Sequence, residues 1–203
     1  MEFSDIIESG ERGFLDGHFL LAMPGMRDER FEKSVVLIAA HSDRGALGFI
    51  VNHSADVELD DMYGRVGVSP NAHAMATAGI EPPREIDIIR GGPVESTRGF
   101  VLHSPDYGSS STLRLNETLS ITSTIDILKA LGRGAGPKRA MLALGYAAWS
   151  GDQLESELCD NAWLTTDADT DLMFDVPADE RYTAAFAGMG IALEALSGVA
   201  GNA

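Results

Sequence analysis

The longest apolar stretch of this chain is the feature that most limits its possible folds. It runs from Ala140 to Trp149 and is interrupted only by Gly145. That length is about half of the ~20 residues that a membrane-spanning helix needs, so the stretch predicts a buried strand. A second apolar run lies within residues 34–41, and Gly45 turns the chain into a third at residues 47–52. These two runs predict a hairpin of buried strands.

The rest of the pattern mixes strands and helices in an irregular order. Further strands are predicted at residues 18–22, 86–89, 99–103 and 171–174. Helices are predicted at residues 58–64, after Ser123, after Ser150 and behind Pro177, because capping-type residues or proline stand at each of the last three starts. The regular alternation of a doubly wound sheet is missing. The order therefore favours an α+β fold.

The charge balance argues against two classes of partner. The chain has 203 residues, with 31 acidic against 15 basic residues and a formal net charge of −16. Binding to a phosphate backbone requires basic patches that displace counterions, and anionic membrane surfaces attract basic segments. We therefore expect neither direct nucleic-acid binding nor a membrane partner. A hydrophobic content of 44% is enough for the core of one globular domain.

Cysteine usage and the two ends of the chain set further expectations. Cys159 is the only cysteine, which excludes an internal disulfide and a cysteine-based zinc cluster. The first residues, Met1–Asp5, lack the basic and apolar regions of an export signal, so the cytoplasm is the expected compartment. Residues 66–84 are rich in proline, glycine and alanine and predict a long loop or insertion. Residues 197–203 are predicted to be frayed.

Polar residues at the ends of predicted strands are the first candidates for a site. His41, Asn52 and the pair His103–Ser104 all stand where a strand ends. Histidine is a natural proton carrier near neutral pH, so a histidine base with a serine nucleophile, Ser104 or Ser150, would make a hydrolase. Each residue alone is more often structural, and Ser150 also fits the start of a helix. The five histidines lack the paired spacing of metal ligands, so neither a metal nor a cofactor is expected.

Two glycine-rich segments invite functional interpretations. The segment from Arg90 through Gly91, Gly92 and Pro93 frees the backbone for close approach of a ligand, or simply for a tight connection. The run of residues 132–139 resembles a phosphate loop, but it follows a helix and precedes a strand, which is the wrong polarity. Its glycines are predicted to end the helix in a left-handed cap.

Four acidic residues crowd the predicted helix after Ser150. They are Asp152, Glu155, Glu157 and Asp160. Acidic residues in the first turns of a helix suit its dipole, so a solvated face is the simple interpretation. A docking surface for a basic partner is the functional alternative. Cys159 lacks basic neighbours and is predicted to be inert.

Several separated stretches resemble the YqgE/AlgH family of bacterial proteins, in the family's order, from about Phe14 to Ile191. The stretches are Phe19–Asp28 with Phe31, Ser34–His41, Gly45–Asn52, Gly91–Val94, Gly99–Ser104, Leu144–Ala147 with Trp149, Gln153–Glu155 and Asn161–Leu164. Two departures are Ala148, where the family is expected to have glycine, and the length of the 66–84 loop.

The resemblance implies a compact α+β protein. We accordingly expect a single domain over residues 1–203, with a mixed, mostly antiparallel sheet flanked by helices. The family has a link to transcriptional regulation but no established activity, so no catalytic residue is carried over. We predict a regulatory or interaction module that acts through a protein partner or a small ligand, with the hydrolase as the alternative. The predicted functional surface comprises His41, Asn52, Arg90, Gly91, Gly92, Pro93, His103, Ser104 and Trp149.

Overall fold

A curled sheet with helices on both of its faces forms the fold, which confirms the α+β class. The computed structural model describes residues 15–68, 85–123 and 125–196. Its strands are β1 (His18–Ala22), β2 (Val35–Ser42), β3 (Gly45–Ile50), β4 (Asp87–Arg90), β5 (Val94–His103), β6 (Thr112–Arg114), β7 (Ser120–Thr122), β8 (Ala140–Ser150) and β9 (Trp163–Asp167). Its α-helices are α1 (Leu59–Arg65), α2 (Ile125–Gly132), α3 (Gln153–Cys159), α4 (Thr170–Asp175) and α5 (Arg181–Gly188), with 3-10 turns at Glu29–Phe31 and Leu193–Ala195.

The strand pairing confirms a mixed, mostly antiparallel sheet. Its order is β6-β7-β5-β8-β3-β2-β1-β9, and β4 also pairs with β8. The pairing of β4 with β8 is parallel, and the other pairings among the described residues are antiparallel. β2 and β3 form the predicted hairpin, with the turn at Asp43 and Arg44 immediately before Gly45.

The central strand is β8, the apolar stretch from which the fold was predicted. Its first half lies between β4 and β5, with Met141 opposite Asp87 on one side and Leu102 on the other. Its second half pairs with β3, where Trp149 lies opposite Ala46. A single strand therefore joins three parts of the sheet.

Both faces of the sheet are buried. One face holds the largest apolar cluster, in which Met173 of α4 and Phe186 of α5 pack with sheet residues such as Phe49 and Phe100. The other face is covered in two places. α3 and Phe31 lie over Trp149 and Trp163, while α1 and α2 cover a third cluster around Leu142. Burial on both faces explains why β2 and β8 have nearly continuous apolar sequences.

The glycine run at residues 132–139 ends α2, as its polarity predicted. Gly134 has a φ of +71°, its N–H donates to Leu131 O, and the next N–H, of Ala135, donates to Ala130 O. This pair of bonds is the Schellman pattern of a helix C-terminus.

Several local predictions were wrong or incomplete. Residues 171–174 are not a strand but belong to α4, because the Asp169 carboxylate accepts from the N–H groups of Asp171 and Leu172 and starts a helix. Strands β6, β7 and β9 were not predicted. The predicted loop at 66–84 lies, beyond Val68, outside the described residues, as does the tail at 197–203.

Candidate functional site

His41 and Trp149 lie in one cross-strand row at the end of the sheet. His41 of β2 is opposite Ala46 of β3, which in turn is opposite Trp149 of β8. Residues in such a row point to the same face, and here α3 covers that face. The structure therefore brings these two predicted site residues together, beneath the acidic helix.

Two side-chain contacts, which we call tethers, join α3 to the sheet. The first is between the Glu155 carboxylate and His41. Glu155 Oε1 and His41 Nε2 are 2.6 Å apart, and the imidazole is buried. The pKa of Glu155 is lowered, chiefly by its own backbone N–H and further by His41, against the opposing effect of burial. His41 Nδ1 and Glu155 Oε2 are buried without a hydrogen-bond partner. The helix is thus fastened to β2 through a single short bond.

The second tether converges on Glu157. Trp149 Nε1 donates to Glu157 Oε2 at 2.9 Å, and Trp163 Nε1 donates to the same oxygen at 2.7 Å. The Gln153 side-chain amide donates to Oε1 at 2.9 Å. Two of the four acidic residues on this helix, Glu155 and Glu157, therefore bond to side chains of the sheet while remaining partly exposed, so the helix is more than a solvated face.

Neither Glu157 nor Trp163 was singled out from the sequence as a contact residue. The available signal was the spacing, since Gln153 and Glu157 stand one helical turn apart and share a face. Ser150 does not cap this helix: it remains in β8, and its N–H and hydroxyl both donate to Gln153 Oε1. Asp152 is the N-cap residue, with a φ of +61°.

Asn52 fastens the end of β3 to the loop before β2. Its Oδ1 accepts from Val35 N–H at 2.7 Å, and its Nδ2 donates to Lys33 O at 2.8 Å. Lys33 has a φ of +51°, so the amide holds a strained turn in place. Nearby, Arg90 Nε donates to Ser54 O at 3.1 Å. These contacts are structural.

Gly91 and Gly92 allow the β4–β5 connection to lie directly against β8. Gly91 N–H donates to Leu144 O, and Gly91 O accepts from Ile50 N–H, each at 2.8 Å. A Cβ on either glycine would overlap the backbone of Gly145 or Tyr146. Pro93, the next residue, is exposed. The segment is thus a tight connection, in which the backbone N–H and carbonyl of Gly91 are both used by neighbouring strands.

His103 and Ser104 lie at the opposite end of β8 from Trp149, since His103 pairs with Ala140. His103 Nδ1 lies 2.7 Å from Ser104 O, which only accepts, so Nδ1 carries the proton. Nε2 therefore accepts from the hydroxyl of Thr122 at 2.9 Å. Burial lowers the pKa of His103, and the bond to Ser104 O and the charge of Asp106 offset this only in part. Above pH 6.5 the folded protein therefore holds a neutral imidazole at His103.

We expect His103 to make folding stability fall in mild acid. The unfolded imidazole has an ordinary pKa of 6.5, whereas the folded one titrates lower, so the unfolded state binds more protons below pH 6.5. The contribution of His103 to the free energy of unfolding is complete above pH 6.5. It declines as the pH falls, by at most about 1.4 kcal/mol per pH unit for each proton. Urea unfolding of His103→Gln at pH 7.5 to 5 should give a shallower decline than the parent chain gives.

His53 serves as the comparison for this measurement. Burial, followed by the charge of Arg90, lowers its pKa as well, so His53→Gln should flatten the profile in the same direction. Equal pH profiles for the parent and the His103→Gln variant would contradict the neutral, buried imidazole.

The serine–histidine pair that the hydrolase alternative requires is not formed among the described residues. Ser104 donates its hydroxyl hydrogen to Asp106, and Ser150 donates to Gln153. His41 bonds to Glu155, and the ring of His103 bonds to Thr122 and a carbonyl oxygen. Over the same described ranges, no group of three or more potential metal ligands is present. No described helix is long and apolar enough to cross a membrane.

Acidic residues accumulate around α3 and the elements that follow it. Between Arg139 and Arg181 the chain has ten acidic residues and neither lysine nor arginine. We call residues 152–180 the acidic segment; its exposed acidic residues are Asp152, Asp160, Asp167, Asp169, Asp171, Asp175, Asp179 and Glu180. Arg139 bonds to Asp171 and Asp175, and the others leave a strongly negative surface.

The curled sheet, with helices on both faces and α3 fastened by two carboxylates, defines a single-domain α+β protein. The chain matches the AlgH-like family model over residues 19–194 and belongs to that family. It is 44% identical to a UPF0301 protein of Rhizobium etli over the full length of both chains. It is 47% identical to one of Brucella melitensis over 96% of each.

Solved structures agree with this assignment. The solution structure of the AlgH protein from Pseudomonas aeruginosa has a TM-score of 0.70 and 39% identity, covering 95% of this chain and 98% of that one. A crystal structure of a Corynebacterium diphtheriae protein, at 20% identity and a TM-score of 0.67, covers 97% and 99% and shares the fold. The predicted family is thereby confirmed.

Proposed function

We propose that this protein is a non-catalytic interaction module that binds a basic polypeptide through its acidic segment, in the cytoplasm. The observation that carries the proposal is the run of ten acidic residues between Arg139 and Arg181, uninterrupted by any basic residue. Complementary potentials steer such surfaces toward basic partners and repel acidic ones. A link to transcription, which the family resemblance implies, would then be indirect, because the same charge repels DNA.

The tethers of α3 support a docking role. A surface that binds without reorganisation loses less entropy on association, and α3 is held by His41 on β2 and by both tryptophans. Two residues of the predicted surface, His41 and Trp149, thus hold α3 in place through bonds on the side of the helix that faces the sheet. Ser104, Ser150 and His103, which the hydrolase alternative would use, are engaged in structural bonds.

Removing charges from the acidic segment should weaken binding to a deca-lysine probe. The variant Asp152→Asn, Asp160→Asn, Asp179→Asn changes three exposed carboxylates that make no side-chain hydrogen bond or ion pair in the structure. Each exposed charge contributes about 0.5 kcal/mol, so we expect a roughly tenfold higher Kd in low salt by titration calorimetry.

The matched control removes the same number of charges elsewhere. Asp56→Asn, Glu58→Gln, Asp61→Asn alters exposed residues at and before α1, and should change the Kd less than about threefold. Equal weakening by the two variants would mean that net charge alone drives binding and would refute the proposal. Duplex DNA at the same salt concentration should not bind.

A further inference from the structure

Three hydrogen-bond donors converge on the carboxylate of Glu157. The indole nitrogens of Trp149 and Trp163 lie 2.9 and 2.7 Å from Oε2, and the Gln153 amide lies 2.9 Å from Oε1. An indole N–H can only donate, so this arrangement requires an acceptor. Two oxygens of one planar group satisfy all three donors, which is the geometry of a carboxylate site.

The two indole donors belong to buried side chains of the sheet. Trp149 and Trp163 are buried on β8 and β9, and their ring centroids lie 6.0 Å apart. Phe31 packs against both rings, at centroid distances of 5.9 and 5.6 Å. The acceptor, in contrast, belongs to a helix of seven residues, and its side chain is partly exposed.

We propose that Trp149, Trp163 and Gln153 form a binding site for small monocarboxylates, which Glu157 fills from within the chain. Withdrawal of Glu157 leaves two buried indole N–H groups without an acceptor, a state that an added carboxylate relieves. A ligand that takes the place of Glu157 breaks the tether between α3 and the sheet. Through α3 the site would then control the shape of the acidic segment, a consequence that rests on the proposed function.

The variant Glu157→Ala empties the site in a defined way. It deletes one methylene and the carboxylate, so acetate has nearly the size and charge of the missing atoms. The chain contains only two tryptophans, and both line the site. The two indole N–H resonances in an NMR spectrum, and all of the tryptophan fluorescence, therefore report on it without labelling of single residues.

In Glu157→Ala we expect both indole resonances to move from their parent positions and to return as acetate is added, along a saturable curve. Formate is one carbon short and propionate one carbon long, so each should bind several-fold more weakly. Chloride at the same ionic strength should produce no return. In the parent chain Glu157 competes with acetate for the same three donors, so the indole resonances should shift only at much higher acetate concentrations.

Glu155→Ala is the matched control, because it deletes the same atoms from the same helix but leaves Glu157 in place. Over the acetate range that saturates Glu157→Ala, the indole resonances of Glu155→Ala should not shift. The proposal is overturned if acetate acts on Glu157→Ala only linearly, or no better than chloride. Should the variant fail to fold in chloride, folding in acetate would support the site, and failure in both salts would overturn it. The measurement uses no basic probe, so its outcome is independent of the docking proposal.

Discussion

Substitution of Arg181 by alanine should lower the free energy of unfolding by about 3–5 kcal/mol. The guanidinium is 1% exposed and serves three acceptors from different parts of the chain. Nε donates to Val176 O at 2.9 Å, Nη1 donates to Val51 O at 2.6 Å, and Nη2 pairs with the Asp87 carboxylate.

The loss of stability in Arg181→Ala arises mainly from the acceptors that no longer receive a hydrogen bond from the guanidinium. The carbonyl of Val51 is buried with its residue, and each buried acceptor left unpaired costs about 1–3 kcal/mol. Asp87 is 48% exposed and can regain water, so the ion pair itself contributes less than a fully buried one. Urea denaturation followed by circular dichroism measures the difference.

Arg133→Ala provides the comparison, because it removes the same side chain from an exposed position and should change stability by no more than about 0.5 kcal/mol. Arg181→Lys should recover only part of the loss, since an ammonium cannot reach three divergent acceptors as the planar guanidinium does. A loss below about 1 kcal/mol for Arg181→Ala would contradict the role given to this residue.

Gly92→Ala should destabilise the protein by about 3 kcal/mol or more. The new methyl group would overlap the carbonyl group of Tyr146 and the amide nitrogen of Ala147. These are backbone atoms of the central strand, so no side-chain rotation relieves the clash. The β4–β5 connection would have to move away from β8, which would also loosen the bonds that Gly91 makes to Leu144 and Ile50.

The control for this substitution is Gly64→Ala. Gly64 lies inside α1, and a Cβ there meets nothing within 4 Å. Alanine is the better helix former by about 0.5–1 kcal/mol, so this variant should be equal to the parent or slightly more stable. Thermal unfolding of both variants should therefore give shifts of opposite sign, and a Gly92→Ala midpoint close to that of the parent would show that the connection is not as tight as described.

The sequence allowed prediction of the elements whose signal is local. β1, β2 and α2 were found at their observed positions because an apolar run or a helical apolar face is visible in a few residues. β6, β7 and β9 were missed because their sequences, TLR, SIT and WLTTD, contain no apolar run like the one in β1. β9 forms an edge of the sheet through its pairing with β1, which lies far away in the sequence. The 171–174 segment was misjudged because the cap at Asp169 was not recognised.

The candidate site was predicted only in part, for a similar reason. His41 and Trp149 were named from their positions at strand ends, and the register of β2, β3 and β8 brings them together. Their partners Glu155 and Glu157 looked like solvated residues, because a sequence does not reveal which side of a short helix faces the sheet. His103 and Ser104 lie at the far end of β8 from Trp149, so the predicted residues do not form one continuous site. A common function for the predicted surface remains a prediction.

The position of β8 in the chain determines when the protein can fold during its synthesis. Strands β3, β4 and β5 precede β8 along the chain, yet each pairs with it. Until residues 140–150 leave the ribosome, these earlier strands have open edges and exposed apolar faces. Closure of the sheet is therefore a late, long-range event, and until then the open strand edges of the nascent chain favour association with other chains.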